Sequence, residues 1–514
     1  MFKKVIGHCS FVGHSGYAEH AREFFTALNK LIPTRIHNFA YCEDLSYLTQ
    51  EQKDMLIMMP DGNHSWGTHP FPHLEDPTIL NIVLLETNHH YFYDAYKSPV
   101  VFYNVWEFPK YPRLFFDQLK RCDRLWVPTE CHRQWVIDQG YDSNRIDVVH
   151  EGVGKSFLPA INRNNLSKFR YIFAGRWDAR KNVVNTIRAF LNAFENVDDV
   201  ELWLSADNPF SVDGMHSTEE RLSYYGLQDH RIKVVHFPPL TEYLDVLKQG
   251  HVFLSASNCE GWHLPLIQAI ACGIPTICTD YGPPLEYAKH ISNLVKVSHY
   301  AKPDKLFGVD LTNEDVGMWA VADQIDLERV IKDVYTNYTL YKDNAIRNSN
   351  YIRSEFSWEK AAVSAYGTFN KIEMYNTFSY SISDDGKQVD FVYNGSNRVN
   401  AFACIRDEYT GLNYYKDALV IDPHNRYFIR HGYDVKGKIF ELIDCASGKI
   451  LLKVVSDIGT GDLAKSDVKG YFKNYPAPDI DITSGLPLYE ILIDDVYDHG
   501  FCGVHSGDVV FDIG

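Results

Sequence analysis

FRYIFAGRWDARKNVVNTIRAFLNAFENVDDVELWLSA, residues 169–206, holds the repeating unit of the chain. FRYIFA is an apolar run of strand length that ends in a glycine turn. The stretch after it, NVVNTIRAFLNAFE, puts Val183, Ile187, Phe190, Leu191 and Phe194 on one side of a helix, and VELWLSA is a second strand. Two strands joined through a helix lie parallel in one sheet, because the helix carries the chain back to the starting edge. The same pattern opens the chain. KKVIGHCSF is a strand, GHSG a turn, and YAEHAREFFTALNK a helix with Ala21, Phe25 and Leu28 on one face. TILNIVLLE, PVVFYNVWE, DRLWVPT and DVVHEGV continue the first series, and RIKVVHF, HVFLSAS and IPTICTD the second, which FSWEKAAVSAYGTFNKI closes. The polar segment PAINRNNLSK separates them. The expectation is two doubly wound α/β domains, 1–160 and 166–373, with ligands at the carboxyl ends of their strands.

Beyond residue 375 the runs shorten and alternate: FSYSISDDGKQVDFVYNG, VNAFACIRDEY, YKDALVI, NRYFIRHGY and KIFELIDCASGKILLKVV, broken by Gly, Asn and Asp. This predicts a small antiparallel β-sandwich over 376–482. HSGDVVFDIG then reads as a polar turn and a last strand, the opening of a further domain at 485–514. At 514 residues, several cores are required. A net charge of −17 argues against a nucleic-acid backbone or an anionic membrane as the main partner. No 18-residue apolar stretch and no signal peptide are visible, and the ten cysteines are scattered with no C-x-x-C pair, so buried thiols such as Cys259, Cys272 and Cys278 in a reducing cytoplasm are expected.

Two turns carry the chemistry. In AGRWDARKN, Arg176 and Lys181 lie where a strand hands over to a helix, at the sheet edge and beside a helix N-terminus, where a diphosphate would be held. In SNCEGWHLPLIQAIACGIP, Pro265 starts a helix and Gly273 stops it. Glu260 in the preceding loop can reach a sugar hydroxyl, the amides of His263, Leu264 and Leu266 can donate to phosphate oxygens, and Gln268 lies one turn further. Pro265 and Gly273 serve equally as ordinary helix caps with no ligand.

R-x4-K at Arg176 and Lys181 followed by EGWHLPLIQAIACGIP resembles the family-four retaining glycosyltransferases of the GT-B fold, whose donor site carries E-G-x-G-L-P-x-x-E-A; the resemblance runs from residue 1 to about 372. It implies two Rossmann-like domains facing across a cleft and a nucleotide-diphosphate sugar as donor. Arg176 and Lys181 would neutralise the diphosphate, Glu260 would contact the donor sugar, and position 268 would hold the ribose. Two positions depart from the pattern. The second glutamate is Gln268, which keeps one carbonyl acceptor but no charge, and the glycine before Leu-Pro is His263. FVGHSGYAEHAR is similar to the family's glycine loop, with Gly13 and Gly16 allowing close backbone approach. VWEFPKYP, with Trp106 and Glu107, resembles a cleft segment on the acceptor side, and Glu286 in YGPPLEYA another. His89 and His90 follow a strand on the acceptor side, where solvated histidines are equally at home.

A retaining enzyme of this kind needs no attacking carboxylate and no metal, and there is no H-E-x-x-H; Asp479 and Asp481 read as a turn. GDVVFDIG resembles the first strand of the S-adenosylmethionine motif of FkbM-like methyltransferases, and LYEILIDDVYDHGF their lead-in. A longer glycan-modifying polypeptide is implied, with S-adenosylmethionine belonging to that part alone. A nucleotide-sugar epimerase or a phosphorylase uses the same architecture. A carbohydrate-binding protein with a decayed donor site, its β-sandwich contacting glycan through residues such as Asn413 and Tyr415, is the reading from another class.

Overall fold

The computed structural model describes residues 2–59, 62–64, 78–85, 99–120, 122–159, 167–208, 214–236, 240–303, 305–306, 309–310, 314–372 and seven strands between 378 and 455. The first unit comprises strands β1 (Lys4–Cys9), β2 (Thr34–Asn38), β3 (Ile79–Leu84), β4 (Val100–Tyr103), β5 (Arg124–Val127) and β6 (Ile146–Val148), with helices α1 (Gly16–Asn29), α2 (Gln50–Met55), α3 (Arg113–Leu119) and α4 (Glu130–Asp138). Its sheet is fully parallel in the order β2-β1-β3-β4-β5-β6. The second unit comprises β7 (Phe169–Ala174), β8 (Val200–Ser205), β9 (Ile232–Val234), β10 (Val252–Leu254), β11 (Thr276–Thr279) and β12 (Asn293–Val295), with α5 (Val183–Ala193), α6 (Thr218–Tyr224), α7 (Leu240–Lys248), α8 (Leu264–Ala271) and α9 (Leu285–Ala288). Its sheet, also parallel, runs β12-β11-β10-β7-β8-β9. The strand order reverses between β1 and β3 in the first sheet and between β7 and β10 in the second. At such a point adjacent loops leave in opposite directions and open a crevice.

The apolar faces read from sequence form these layers. Ala21, Phe25 and Leu28 of α1 are fully buried, as are Ile187 and Phe190 of α5, whereas Leu191 is only partly covered. Strand β2 has no counterpart in the sequence reading, because TRIHN carries Arg35 and His37 where an apolar run is expected. Its burial is made possible by polar pairing: His37 Nδ1 lies 2.9 Å from His8 Nδ1, and His8 Nε2 lies 2.9 Å from Asn81 Oδ1, a chain across β2, β1 and β3. Asn38 ends the strand by accepting the amides of Phe11 and Val12, which fixes the glycine loop after β1. Two small antiparallel pairs also escaped the sequence reading: β13 (Val297–Ala301) with β16 (Trp319–Ala322), and between them β14 (Lys305–Leu306) with β15 (Val309–Asp310).

Helices α10 (Gln324–Thr336), α11 (Tyr338–Glu355) and α12 (Trp358–Gly367) follow. The segment read as closing the second series instead returns to the first. Trp358, Ala361, Ala362 and Ala365 of α12 join Phe24, Phe25 and Trp126 in one core. The return is tight: a Cβ at Gly152 would lie 2.4 Å from the backbone nitrogen of Trp358 and 2.7 Å from the carbonyl carbon of Ser357. Gly152→Ala is therefore expected to cost about 1–3 kcal/mol, as overpacking against backbone does, and to lower the thermal midpoint of the full chain.

The last described part contains β17 (Phe378–Ile382), β18 (Gln388–Tyr393), β19 (Val399–Asp407), β20 (Asn413–Ile421), β21 (Arg426–Arg430), β22 (Lys438–Asp444) and β23 (Ile450–Val455). They form two antiparallel sheets, β17-β18-β21 and β20-β19-β22-β23. The expected domain opening at 485–514, with Asp479 and Asp481 before it, lies outside the described residues. No helix among the described residues is long and apolar enough to cross a membrane.

Candidate active site

The loops after β7 and β10 leave the second sheet side by side at its switch point and are stitched together. Asn258 N donates to Arg180 O (2.7 Å), Asn258 Nδ2 to Ala179 O (2.9 Å), and Asn182 Nδ2 to Ala256 O (3.1 Å). Asn182 takes the left-handed conformation (φ 54°) that turns the chain into α5, and the Asp178 carboxylate accepts the Lys181 amide at 2.8 Å. These bonds orient two cations toward one carboxylate. Lys181 Nζ lies 2.6 Å from Glu260 Oε1, and Arg180 Nη1 lies 2.7 Å from Glu260 Oε2. The other guanidinium nitrogen, Arg180 Nη2, reaches 2.9 Å across the cleft to Glu107 Oε1 in the loop after β4.

The result is a buried quartet of two cations and two carboxylates drawn from both units. Burial opposes ionisation of Glu260, but Arg180 and then Lys181 outweigh it and hold the carboxyl well below the usual range. At Glu107 burial outweighs the pull of Arg180 and its carboxyl is pushed up, with Glu260 adding to the effect and Lys181 opposing it. Burial also disfavours the Arg180 cation, but Glu107 and Glu260 more than compensate and its pKa is raised. Arg180 was not singled out in the sequence. It stands next to Lys181 in the turn where Arg176 drew attention, and only the register of the turn decides which arginine points inward. Arg176 is half-buried in the same loop.

The helix mouth is as the sequence suggested: α8 starts at Leu264 with Pro265 in its first turn, and Gly273 stops it at φ 65°. His263, immediately before α8, has φ 78° and ψ 65°, a region that disfavours side chains. Its ring is tied inward, with Nε2 2.8 Å from Ser255 Oγ, and burial pushes its pKa down to about 3. The imidazole is thus a neutral wall of the site. Gly261 is a point of close approach between the units: a Cβ there would lie 2.6 Å from Val105 Cγ1 and 2.9 Å from Trp106 O.

The first unit contributes unevenly. Gly13 sits at φ 98°, its amide donating to Tyr47 Oη (2.6 Å) and its carbonyl accepting from Arg22 (2.6 Å), so the glycine loop is held in shape. Gly16 begins α1 directly opposite Leu264, whose Cδ1 would be 3.7 Å from a Cβ at that glycine. Gln268 Nε2 donates to Glu19 Oε1 of α1 at 2.7 Å, a contact that sequence reading did not foresee. Trp106 corrects the expectation of a cleft-facing aromatic. It is 6% exposed, stacks on Tyr111 at 4.8 Å and donates its indole N–H to Lys110 O, because the turn that presents Glu107 directs its neighbour into the core. Glu286 is exposed on α9, apart from the quartet, and His89 and His90 lie outside the described residues. Among the described residues no group of three or more His, Cys, Asp or Glu side chains is placed to hold a metal.

Two six-stranded parallel sheets with facing switch-point loops constitute the GT-B architecture, and residues 155–305 match the family Glycosyl transferases group 1; fold and domain together define a glycosyltransferase. The chain is similar in fold to Anabaena Alr3699/HepE, solved with UDP and glucose, at 13% identity and TM-score 0.53, covering 72% of this chain and 99% of that one. It is also similar to the sucrose-phosphate synthase of Thermosynechococcus elongatus (13% identity, TM-score 0.52, 72% and 98% covered) and to a glycosyltransferase of Rickettsia africae (13%, 0.50, 72% and 98%). No curated protein matches the chain.

Proposed function

We propose that this enzyme is a retaining glycosyltransferase that moves a sugar from a nucleotide-diphosphate donor to a glycan acceptor without a metal. The observation that carries the reading is the buried Glu107–Arg180–Glu260–Lys181 quartet at the switch point, beside the N-terminus of α8 and closed from the opposite unit. Its charges cancel, so an arriving diphosphate meets cations already desolvated and oriented, which is where fixed electrostatics stabilise developing charge most. Lys181 and Arg176 take the diphosphate, with the amides at the start of α8 adding partial positive charge. Glu260, held ionised, accepts a hydroxyl of the donor sugar, while Arg180 keeps it in place. Gly13 and Gly16 let the first unit approach the transferred sugar, and His263 and Leu264 shape the pocket floor.

The bond between the anomeric carbon and the β-phosphate oxygen breaks, and the leaving phosphate takes the proton of the acceptor hydroxyl as that hydroxyl enters on the same face. Glu107 faces this space from the acceptor side. The cysteines Cys9, Cys259, Cys272 and Cys278 are buried, which suits a reducing cytoplasm. The two antiparallel sheets of residues 378–455 are the proposed sandwich. The test is the anomeric configuration of the product, followed by NMR in buffer containing a metal chelator. Retention with undiminished rate is expected; an inverted product, or activity abolished by the chelator, contradicts the mechanism.

A further inference from the structure

We infer that Glu19, on the first helix of the opposite unit, is a positioning residue of the donor site: by accepting the Gln268 amide it fixes the Gln268 carbonyl oxygen as one acceptor for a vicinal diol, the pattern a ribose presents. The inference rests on the donor-site reading above and adds to it a recognition element that spans the cleft.

Gln268 is 2% exposed, and its one side-chain hydrogen bond among the described residues is the 2.7 Å contact from Nε2 to Glu19 Oε1, between side chains 249 positions apart. A carboxamide has a donor end and an acceptor end, while a carboxylate only accepts. Above about pH 7, where Glu19 is ionised, it therefore decides which way the amide faces, since the flipped orientation would oppose two acceptors. With Nε2 engaged, Oε1 remains; it accepts no bond among the described residues, and neither does the second oxygen of Glu19. One acceptor oxygen remains on each unit, and two such acceptors joined through the Gln268–Glu19 bond suit two adjacent hydroxyls. The place is right for the ribose end of a nucleotide. Gln268 lies one turn inside α8, on the helix whose N-terminus follows the Glu260 loop, and Leu264 at that N-terminus faces Gly16 of α1.

The pair also accounts for the residue at 268. A glutamate there would set a second carboxylate within hydrogen-bonding distance of Glu19, in a place already carrying Glu23 nearby, and like charges so close cannot both ionise. Glutamine at 268 and glutamate at 19 are two halves of one arrangement, so exchanging them together should preserve what exchanging either one destroys.

The experiment is calorimetric titration of the full chain with UDP, GDP and ADP and with their 2′-deoxy forms. Wild type is expected to bind one ribonucleotide roughly tenfold more tightly than its deoxy form, the worth of about one hydrogen bond. Glu19→Gln should bring that ratio to within about twofold, Gln268→Glu should weaken the ribonucleotide by roughly tenfold or more, and the double exchange Glu19→Gln/Gln268→Glu should restore both to near wild type. A ratio unchanged by Glu19→Gln, or a double exchange no better than the worse single, overturns the inference and leaves the donor site standing. Failure of wild type to bind any of the nucleotides overturns the donor reading and the inference with it.

Discussion

Arg180→Met should destabilise the chain by about 3–5 kcal/mol, the cost of leaving buried charge without its partner. Arg180 is the member of the quartet that touches both carboxylates, at 2.7 Å to Glu260 and 2.9 Å to Glu107, and it also donates to Cys259 O at 3.0 Å. Its side chain is 6% exposed, so solvent screens little of the interaction. Without it, Lys181 alone balances two carboxylates, and Glu107, already pushed up, takes a proton to relieve them. Removing the second charge should therefore recover part of the loss: Arg180→Met/Glu107→Gln is expected to be more stable than Arg180→Met. Urea denaturation of wild type, Arg180→Met, Glu107→Gln and the double variant decides it, and a double variant showing simple additivity would mean that the two residues are not coupled.

The second large effect is the pH dependence of stability. Burial pushes His8 down to about 4, His20 and His132 to about 3, His37 to about 2 and His263 to about 3. The unfolded chain protonates these five rings below about pH 6.5 while the folded chain refuses the protons, so each ring lowers stability by about 1.4 kcal/mol per pH unit as pH falls below 6.5, until its folded pKa is reached. One buried carboxyl, Glu151, and three half-buried ones act in the opposite direction. Burial raises Glu19 to about 7 and also raises Glu23, Glu107 and Glu151, so the folded chain holds protons that the unfolded chain releases above about 4.5. Their contribution grows as pH falls toward 4.5 and is constant below it. Between about 6.5 and 4.5 the two sets oppose each other; below 4.5 the histidines are joined by Glu260 and Asp229, whose carboxyls are held below the usual range and refuse protons that the unfolded chain takes up, and the five rings by themselves approach a slope of about 7 kcal/mol per pH unit. Against a typical total of about 5–15 kcal/mol, this unfolds the chain within roughly two pH units. Thermal midpoints across pH 3.5–8.5 should show a maximum on the mildly acidic side of neutral and a collapse below 4.5. A midpoint that climbs steadily from pH 4 to 8.5 would contradict the burial assigned to the four carboxyls.

Most of the fold could be read from the chain because its inner strands are apolar on both faces, and FRYIFA, VELWLSA and ILNIVL announce themselves. The misses have a shared physical cause. β2 is buried through a His–His–Asn chain that no hydropathy pattern registers, and α12 has the periodicity of any amphipathic helix, which says nothing about which core receives it. In the site, the helix caps at Pro265 and Gly273 followed from spacing. What spacing could not supply was the choice between Arg176 and Arg180 within one turn, the inward rotation of Trp106, or the partner of Gln268. The first and the last depend on contacts between segments more than 70 positions apart, Arg180 with Glu107 and Gln268 with Glu19, and the second on a local stack of Trp106 against Tyr111 that hydropathy does not register.

The central claim, a nucleotide-diphosphate sugar held by the loops after β7 and β10, is tested most directly by the thermal shift that UDP-, GDP-, ADP- and dTDP-sugars produce in wild type and in Lys181→Ala, each against its own ligand-free midpoint. One nucleotide class should raise the wild-type midpoint, by about 2.7 kcal/mol of added stability at a hundredfold excess over Kd, and should leave Lys181→Ala unmoved. No shift with any of the four, or the same shift in both proteins, would contradict it.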